Sequence, residues 1–437
     1  MARAYRSVSG AITLFLFCLL FVPRLASGEV RSLTLPQAVE YALANNGELK
    51  ALRNEEEVAR AGLERAGRFP NPTLELSADT GVMTGSSDRK SASIAFSQEL
   101  LTGGKRARRQ AVAELETEEV RYQIADRERL LTAEIKNTFY ELMLAQKRRE
   151  LAQRAIDLSG RLLEITRERL AAGDIPELEM NLARVEMARS EGRKIEAERE
   201  LNPLLARMRT LLGLPAGEEA DFDGSLERRP LAVTPAELTR LAQEKRPDLK
   251  GLEAGRAKGD AAVELATAER IPNLTLGLGY TQERSVDATG IDEEKSRDNL
   301  VGVKLSIPLP LFDRNQAGIR EARARKQSAG NRLDFARRSV AREIEGGHAR
   351  LAAADKALDL YAGTILPQLE ENLKLVQEAY QIGEVGILAV IEEQKKFFEV
   401  NDGHLTALYN RQTALARLEA AVGTALEEGS ATTGAVH

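Results

Sequence analysis

Three histidines, His348, His404 and His437, and one cysteine, Cys18, are the residues that would ligate a soft metal or act as nucleophile and base. They are scattered along the chain. No His-x-x-x-His or His-Glu pairing puts two ligands on one helical face, and no Gly-rich phosphate loop or nucleophile elbow accompanies them. Metal-assisted and nucleophilic catalysis therefore lack a constellation, and the single Cys18, lying inside an N-terminal apolar run, offers no disulfide framework by itself. No catalytic residue, no metal site and no cofactor is expected. Whatever this protein does must come from its shape and its surfaces.

Composition indicates long helices. The 437 residues are 43% hydrophobic, 30% charged and only 4% aromatic, without Trp, the balance typical of extended helices and coiled coils. The opening MARAYRSVSGAITLFLFCLLFVPRLASG places Arg3 and Arg6 before an apolar run and ends in the small-x-small form Ala26-Ser27-Gly28. Residues 1–28 read as a secretory signal, and Leu16 and Phe17 ahead of Cys18 do not make a lipoprotein box. Removing Arg3, Arg6 and Arg24 moves the formal charge from -5 to about -8, a poor balance for binding nucleic acid. No second apolar run reaches the roughly 18 residues of a membrane helix, so any contact with lipid must come from strands.

The rest of the chain uses one design twice. Thr34-Leu35-Pro36-Gln37 and Thr234-Pro235-Ala236-Glu237 both have capping-box form, each opening a helix that runs to a Pro-Asn boundary at Pro70 or Pro272. Strands follow in PNPTLEL and PNLTLGL. In the first half Leu74, Leu76 and Ala78, then Ala92, Ile94, Phe96 and Leu100, alternate with small or polar residues. In the second half Leu274, Leu276, Leu278 and Tyr280, then Val301, Val303, Leu305, Ile307 and Leu309, do the same. Each run is about ten residues, the length of a tilted membrane strand, although on alternation alone a soluble hairpin with one face on a core is the commoner case. The polar stretches 83–90 and 284–299 read as the exposed turns between them.

Very long helices come next. Between Gly104 and Ile175 there is no proline, and roughly 70 helical residues span on the order of 100 Å. Leu151, Ala155, Leu158, Leu162 and Ile165 form a short seam at coiled-coil spacing that an antiparallel neighbour would cover. Reversals at Gly173 and Gly383, with returns ending at Gly213 and Gly423, share an offset of 210, so the two hairpins should end level. Pro367 has no partner in the first half and is expected to bend its helix. We expect a signal at 1–28, a first repeat at 29–230, a second at 231–426 and a tail at 427–437.

Four one-sided strands cannot close on themselves, and an unpaired backbone group in lipid costs several kcal/mol. The expected fold is therefore mainly α with membrane β. Four strands per subunit join a twelve-stranded trimeric β-barrel, continued by a long antiparallel α-helical barrel. Such an object is a conduit.

At this point the sequence resembles the TolC-type outer-membrane efflux channel family over nearly all of the mature chain. The resemblance rests on the duplicated order of "LTLPQAVEYALANN", "PNPTLEL", "LLTGGKRARR", "RLAAGDIPELE", "ILPQLEENL" and "YQIGEVGILAVIEEQ". The "GGKR" and the missing lipobox look like the cobalt-zinc-cadmium resistance subgroup. Membership implies a homotrimer in the outer membrane of a Gram-negative cell, a periplasmic adaptor protein docking on the hairpin tips and an inner-membrane pump of the resistance-nodulation-division type. The tip residues it nominates are Arg169, Leu170, Gly173 and Ile175 on one hairpin, and Tyr380, Gly383, Val385 and Leu388 on the other; a plain turn explains their glycines equally well. It also places Glu392, with Glu393 as substitute for a second acidic position that here reads Ala389, in a ring at the periplasmic entrance; a solvated helix face is the competing explanation. Lipid would meet Leu74, Leu76, Ile94, Phe96, Leu274, Leu276, Leu278, Val301, Val303 and Leu305. The subgroup implies divalent cations as cargo, with organic compounds or secreted polypeptides as the alternative. A periplasmic coiled-coil adaptor remains a structural rival, although it would need one hairpin with soluble β domains.

Overall fold

The computed structural model describes residues 31–84, 89–228, 233–288 and 293–426. The expected signal and tail, residues 85–88 and 289–292 within the two expected turns, the junction of the expected repeats near 230 and His437 lie outside the described residues.

A short strand β1 (Arg31–Leu33) leads into α1 (Leu35–Asn45), where the Thr34 N–H donates to Gln37 Oε1 at 2.9 Å as the capping box requires. The helix does not continue to Pro70 as expected. It breaks at Asn46, whose side chain accepts from the Leu49 N–H at 3.0 Å and so starts α2 (Gly47–Gly67). The second half breaks at the matching place. There α5 (Pro235–Lys245) ends at Arg246 and α6 (Pro247–Ala268) begins on a proline, a residue that supplies no N–H and disfavours helix at the position before it.

Both breaks are held from a distance. Asn46 Nδ2 donates to Leu211 O at 3.0 Å, and Arg246 Nη1 donates to Ala421 O at 2.8 Å. Leu211 and Ala421 each lie two residues before a left-handed glycine, Gly213 (φ 70°) or Gly423 (φ 84°). A Cβ on Gly213 would stand 2.6 Å from Asn45 O, and one on Gly423 3.0 Å from Arg246 Cα. The duplication thus extends to how each return helix is capped by its own half.

Four strands form one antiparallel sheet in the order β2 (Thr73–Thr80), β3 (Lys90–Leu100), β5 (Leu274–Ala288), β6 (Glu293–Ser306). A separate strand, β4 (Ala220–Phe222), pairs parallel with β1, a contact that nothing local in the sequence announced. Pairing of β5 with β6 continues to Ala288 opposite Glu293, so much of the stretch expected as a turn at 284–299 is ladder. At its other end β6 stops at Ser306, leaving Ile307 and Leu309 outside the strand, because Pro308 and Pro310 cannot donate to a ladder.

From Lys105 to Ala172 runs α3, 68 residues and on the order of 100 Å. It reverses at Gly173 into α4 (Glu177–Leu212), which carries Pro203 without a break. The second half matches it with α7 (Gln316–Leu360), a five-residue π turn at Tyr361–Ile365, α8 (Leu366–Gln381) and α9 (Ile387–Val422). The expected disturbance at Pro367 takes the form of that π turn, which widens the helix just ahead of a residue with no N–H to give. Gly403 on α9 makes room for it, since a Cβ there would lie 2.5 Å from Tyr361 Oη.

The α3 seam is covered, with Ala155 and Leu162 buried and Leu151, Leu158 and Ile165 half-buried, but not by α4 alone. Ala155 packs with Leu369, Leu373, Phe397 and Phe398, and Leu162 with Ala183, Tyr380, Ile387 and Val390. Helices of both halves share two apolar clusters along the hairpins.

Candidate functional site

The sheet is sided as the alternation requires. Its register aligns Leu74, Phe96, Leu278 and Val303 in one row and Leu76, Ile94, Tyr280 and Val301 in the next, with Leu276 opposite Leu305. All lie on one face, because successive strand side chains alternate. That face is uncovered: Leu76 is 70% exposed, Val301 82% and Val303 73%. Leu274 is half-buried at the helix end of the sheet.

Serine, threonine and glycine dominate the other face. Thr73, Ser97, Gly277 and Lys304 share a row, and so do Ser77, Ser93 and Thr281, with Leu300 an apolar exception beside them. Ser77 and Ser93 hydroxyls meet at 2.7 Å. In a single chain the outer edges of β2 and β6 pair with no described strand. A sheet with an open apolar face and two open edges is a fragment of a larger closed surface.

The turns that join sheet to helices are locked together. Gly103 (φ 63°) and Gly104 (φ 67°) reverse the chain, and Lys105 behind them is 4% exposed. Its Nζ donates to Ile271 O at 2.5 Å and Asn273 Oδ1 at 2.6 Å, while Asn273 Nδ2 donates to Glu99 Oε1 at 2.6 Å. Burial pushes the Lys105 amine below its ordinary range, with Arg109 adding to the effect. The "GGKR" stretch therefore pins the first strand-to-helix turn onto the second repeat's helix-to-strand turn. Asn315, left-handed at φ 57°, does the corresponding work for α7 by donating to Ala266 O at 2.8 Å. Lys105→Met should leave Ile271 O without this donor and Asn273 Oδ1 with only the Thr102 N–H at 3.4 Å, and lower the stability by about 1–2 kcal/mol; thermal unfolding of the detergent-solubilised protein measures it.

At the far end the two hairpins meet. Gly173 (φ 82°) and Gly383 (φ 88°) occupy the left-handed region, and both turns close alike, with Asp174 N–H donating to Arg169 O at 3.0 Å and Glu384 N–H to Ala379 O at 2.9 Å. Arg169 Nη1 crosses to Tyr380 O at 2.8 Å, and its guanidinium sits 4.9 Å from the Tyr380 ring centroid. The Tyr380 hydroxyl lies 3.1 Å from Thr166 Oγ1 and donates to Glu179 Oε2 at 3.2 Å. One tyrosine thus ties both arms of the first hairpin to the second.

The nominated tip residues divide accordingly. Tyr380 and Ile175 are buried, Arg169, Leu170 and Val385 half-buried, and Gly173, Gly383 and Leu388 exposed. Leu178 and Ile382, which no sequence argument singled out, are exposed beside them at 65% and 72%. Glu392 projects into solvent, whereas the Glu393 side chain is 12% exposed and pairs with Lys396 at 3.4 Å. Gln394, next along α9, is 1% exposed, and neither its amide oxygen nor its nitrogen has a hydrogen-bond partner among the described residues.

Among the described residues no group of three or more His, Cys, Asp or Glu could hold a metal ion, and no helix is long and apolar enough to cross a membrane. His404 packs against Tyr361, ring centroids 5.7 Å apart, rather than beside another ligand.

Comparison with known proteins matches the family described as Outer membrane efflux protein to residues 38–214 and 238–424, one match in each half. The cobalt-zinc-cadmium resistance protein CzcC of Cupriavidus metallidurans is 28% identical over 400 residues, covering 91% of this chain and 91% of that one. The outer membrane protein TolC of Vibrio cholerae is 24% identical over 352 residues, covering 78% of each. Among solved structures CusC superposes with a TM-score of 0.74 at 19% identity, covering 89% of this chain and 92% of that one.

Proposed function

The chain belongs to the outer membrane efflux protein family, and we propose as its cargo divalent heavy-metal cations, delivered by an inner-membrane pump through a periplasmic adaptor. The protein is an outer-membrane channel and a passive one, not an enzyme. Four strands per chain in three chains close a twelve-stranded barrel, and the helices continue it as a tube in the periplasm.

The observation that carries the cargo reading is the near full-length similarity to a cobalt-zinc-cadmium resistance protein. Nothing in the described part of the conduit need bind the metal, because selection can rest with the pump. The apolar rows from Leu74 to Val303 face lipid in this reading, and the Ser- and Thr-rich face lines water. Leu388 and the glycine turns, with Leu178 and Ile382 around them, offer the adaptor an exposed apolar tip. Glu392 from three chains supplies an acidic ring that draws cations to the entrance.

The test is a deletion strain. Its tolerance to zinc, cobalt and cadmium should fall and be restored by the gene in trans. Unchanged metal tolerance with heightened sensitivity to organic drugs would reverse the cargo and leave the channel in place.

A further inference from the structure

The apolar face of the sheet is bounded, on the side away from the helices, by charge. One step beyond the row of Tyr280 and Val301 the paired residues are Gln282 and Asn299, where Tyr280 Oη donates to Asn299 Oδ1 at 2.8 Å. One step further the row reads Thr80, Lys90, Arg284, Arg297, each residue opposite the next across the ladder. The pairing between these rows has no interruption, so strand parity keeps Lys90, Arg284 and Arg297 on the face of Leu76, Ile94 and Val301.

The neighbouring row has the opposite sign and the opposite direction. Asp79, Ser91, Glu283 and Asp298 align across the same strands and, being offset by one residue, point to the polar face. Ser91 Oγ donates to Asp79 Oδ2 at 3.1 Å there. At one level of the barrel the ladder therefore sends its acids inward and its bases outward.

Lys90, Arg284 and Arg297 are all exposed, and no ion pair joins them to a carboxylate among the described residues. Like charges directly opposite one another on adjacent strands, about 4.8 Å apart, are destabilising. Three in a row persist at least cost where an anion outside the sheet faces them. Arg297 lies four residue steps from Val301, about 13 Å along the strand and about 10 Å along the membrane normal at the usual tilt. The cations thus stand where headgroups begin, on the side opposite the periplasmic helices.

We propose that Lys90, Arg284 and Arg297 form a strip that docks the phosphate groups of an outer-leaflet glycolipid, three cations per chain repeated around the trimer. The inference rests on the reading that the apolar face meets lipid. The strip sets the depth of the barrel and replaces the divalent cations that otherwise bridge such phosphates.

The experiment compares the purified detergent-solubilised trimer with its K90Q/R284Q/R297Q variant in thermal unfolding. Each is melted alone, with bisphosphorylated lipid A, with dephosphorylated lipid A and with inorganic phosphate. Lipid A should raise the wild-type Tm by several degrees and the variant's hardly at all, while without it the variant, relieved of the repulsion along the row, should melt no lower than the wild type; neither control should stabilise either protein. Equal shifts in both, no shift in the wild type, or an equal shift from inorganic phosphate would overturn the proposal. If the triple variant does not assemble, Arg297→Gln alone should lose part of the shift, and retention of the full shift counts against the strip. A wild-type protein that stays monomeric without detergent would instead remove the channel reading itself.

Discussion

On the proposed lipid face, Val303→Arg should cost about 2–4 kcal/mol per chain, the depth-dependent price of a charge toward the middle of the bilayer. Val303 is 73% exposed and stands opposite Leu278, in the row that continues through Phe96 to Leu74. Because β6 is an edge strand of the sheet, a neighbouring chain would pair with its backbone and leave this side chain facing outward. The loss should appear as fewer trimers in washed outer membranes and a lower Tm in detergent. Lys304→Gln supplies the control. One residue along, it points to the polar face, and a change there should stay within about 0.5 kcal/mol. Equal sensitivity at 303 and 304 would sink the assignment of faces, since a pleated strand cannot show one environment to adjacent residues.

Combining Arg169→Ala with Tyr380→Phe should release the hairpin tips from each other. The double change removes the guanidinium bond to Tyr380 O, the stacking over the ring and the hydroxyl contacts to Thr166 and Glu179. A hydrogen bond involving a charged group contributes about 1.5–3 kcal/mol, and an exposed cation–π contact about 0.5–1 kcal/mol. Together they shift a tied-to-untied equilibrium by more than tenfold per chain, at about 1.4 kcal/mol per factor of ten. Faster amide exchange confined to the turns at Gly173 and Gly383, with the trimer intact, is the expected signature. Unchanged protection there would mean that the core beneath, not Tyr380, holds the tips.

The pH dependence of that tie has a definite sign. Burial pushes the Tyr380 phenol above its ordinary 10.0, although the Thr166 contact opposes the shift. A raised folded value gives stability that is fully present below 10.0 and lost as pH rises through the higher folded value. The tie should therefore be complete at neutral pH and fail only in strong alkali.

Local patterns carried much of this protein into view before any fold was known. The alternation in Leu74-Glu75-Leu76 and Val301-Gly302-Val303 specifies a one-sided strand by itself, since the strand period of two needs no partner to be read. Gly173, Gly383 and the stretch without proline before Gly173 specify helix length and reversal for the same reason, and equal offsets between glycines exposed the duplication. Those signals also carried the family.

Contacts between distant segments were decided only in three dimensions. The breaks at Asn46 and Arg246 depend on acceptors at Leu211 and Ala421, the role of Lys105 on Ile271 and Asn273, and β1 on a partner some 190 residues away. Tyr380, nominated for a docking surface, turned out to be buried between hairpins because the two tips end level. The cationic strip needed inter-strand register, which a single sequence does not contain: Lys90, Arg284 and Arg297 become neighbours only once hydrogen bonds align three strands. Periodicity along a chain reports which way each residue faces; which residues then face each other depends on how separate segments pack.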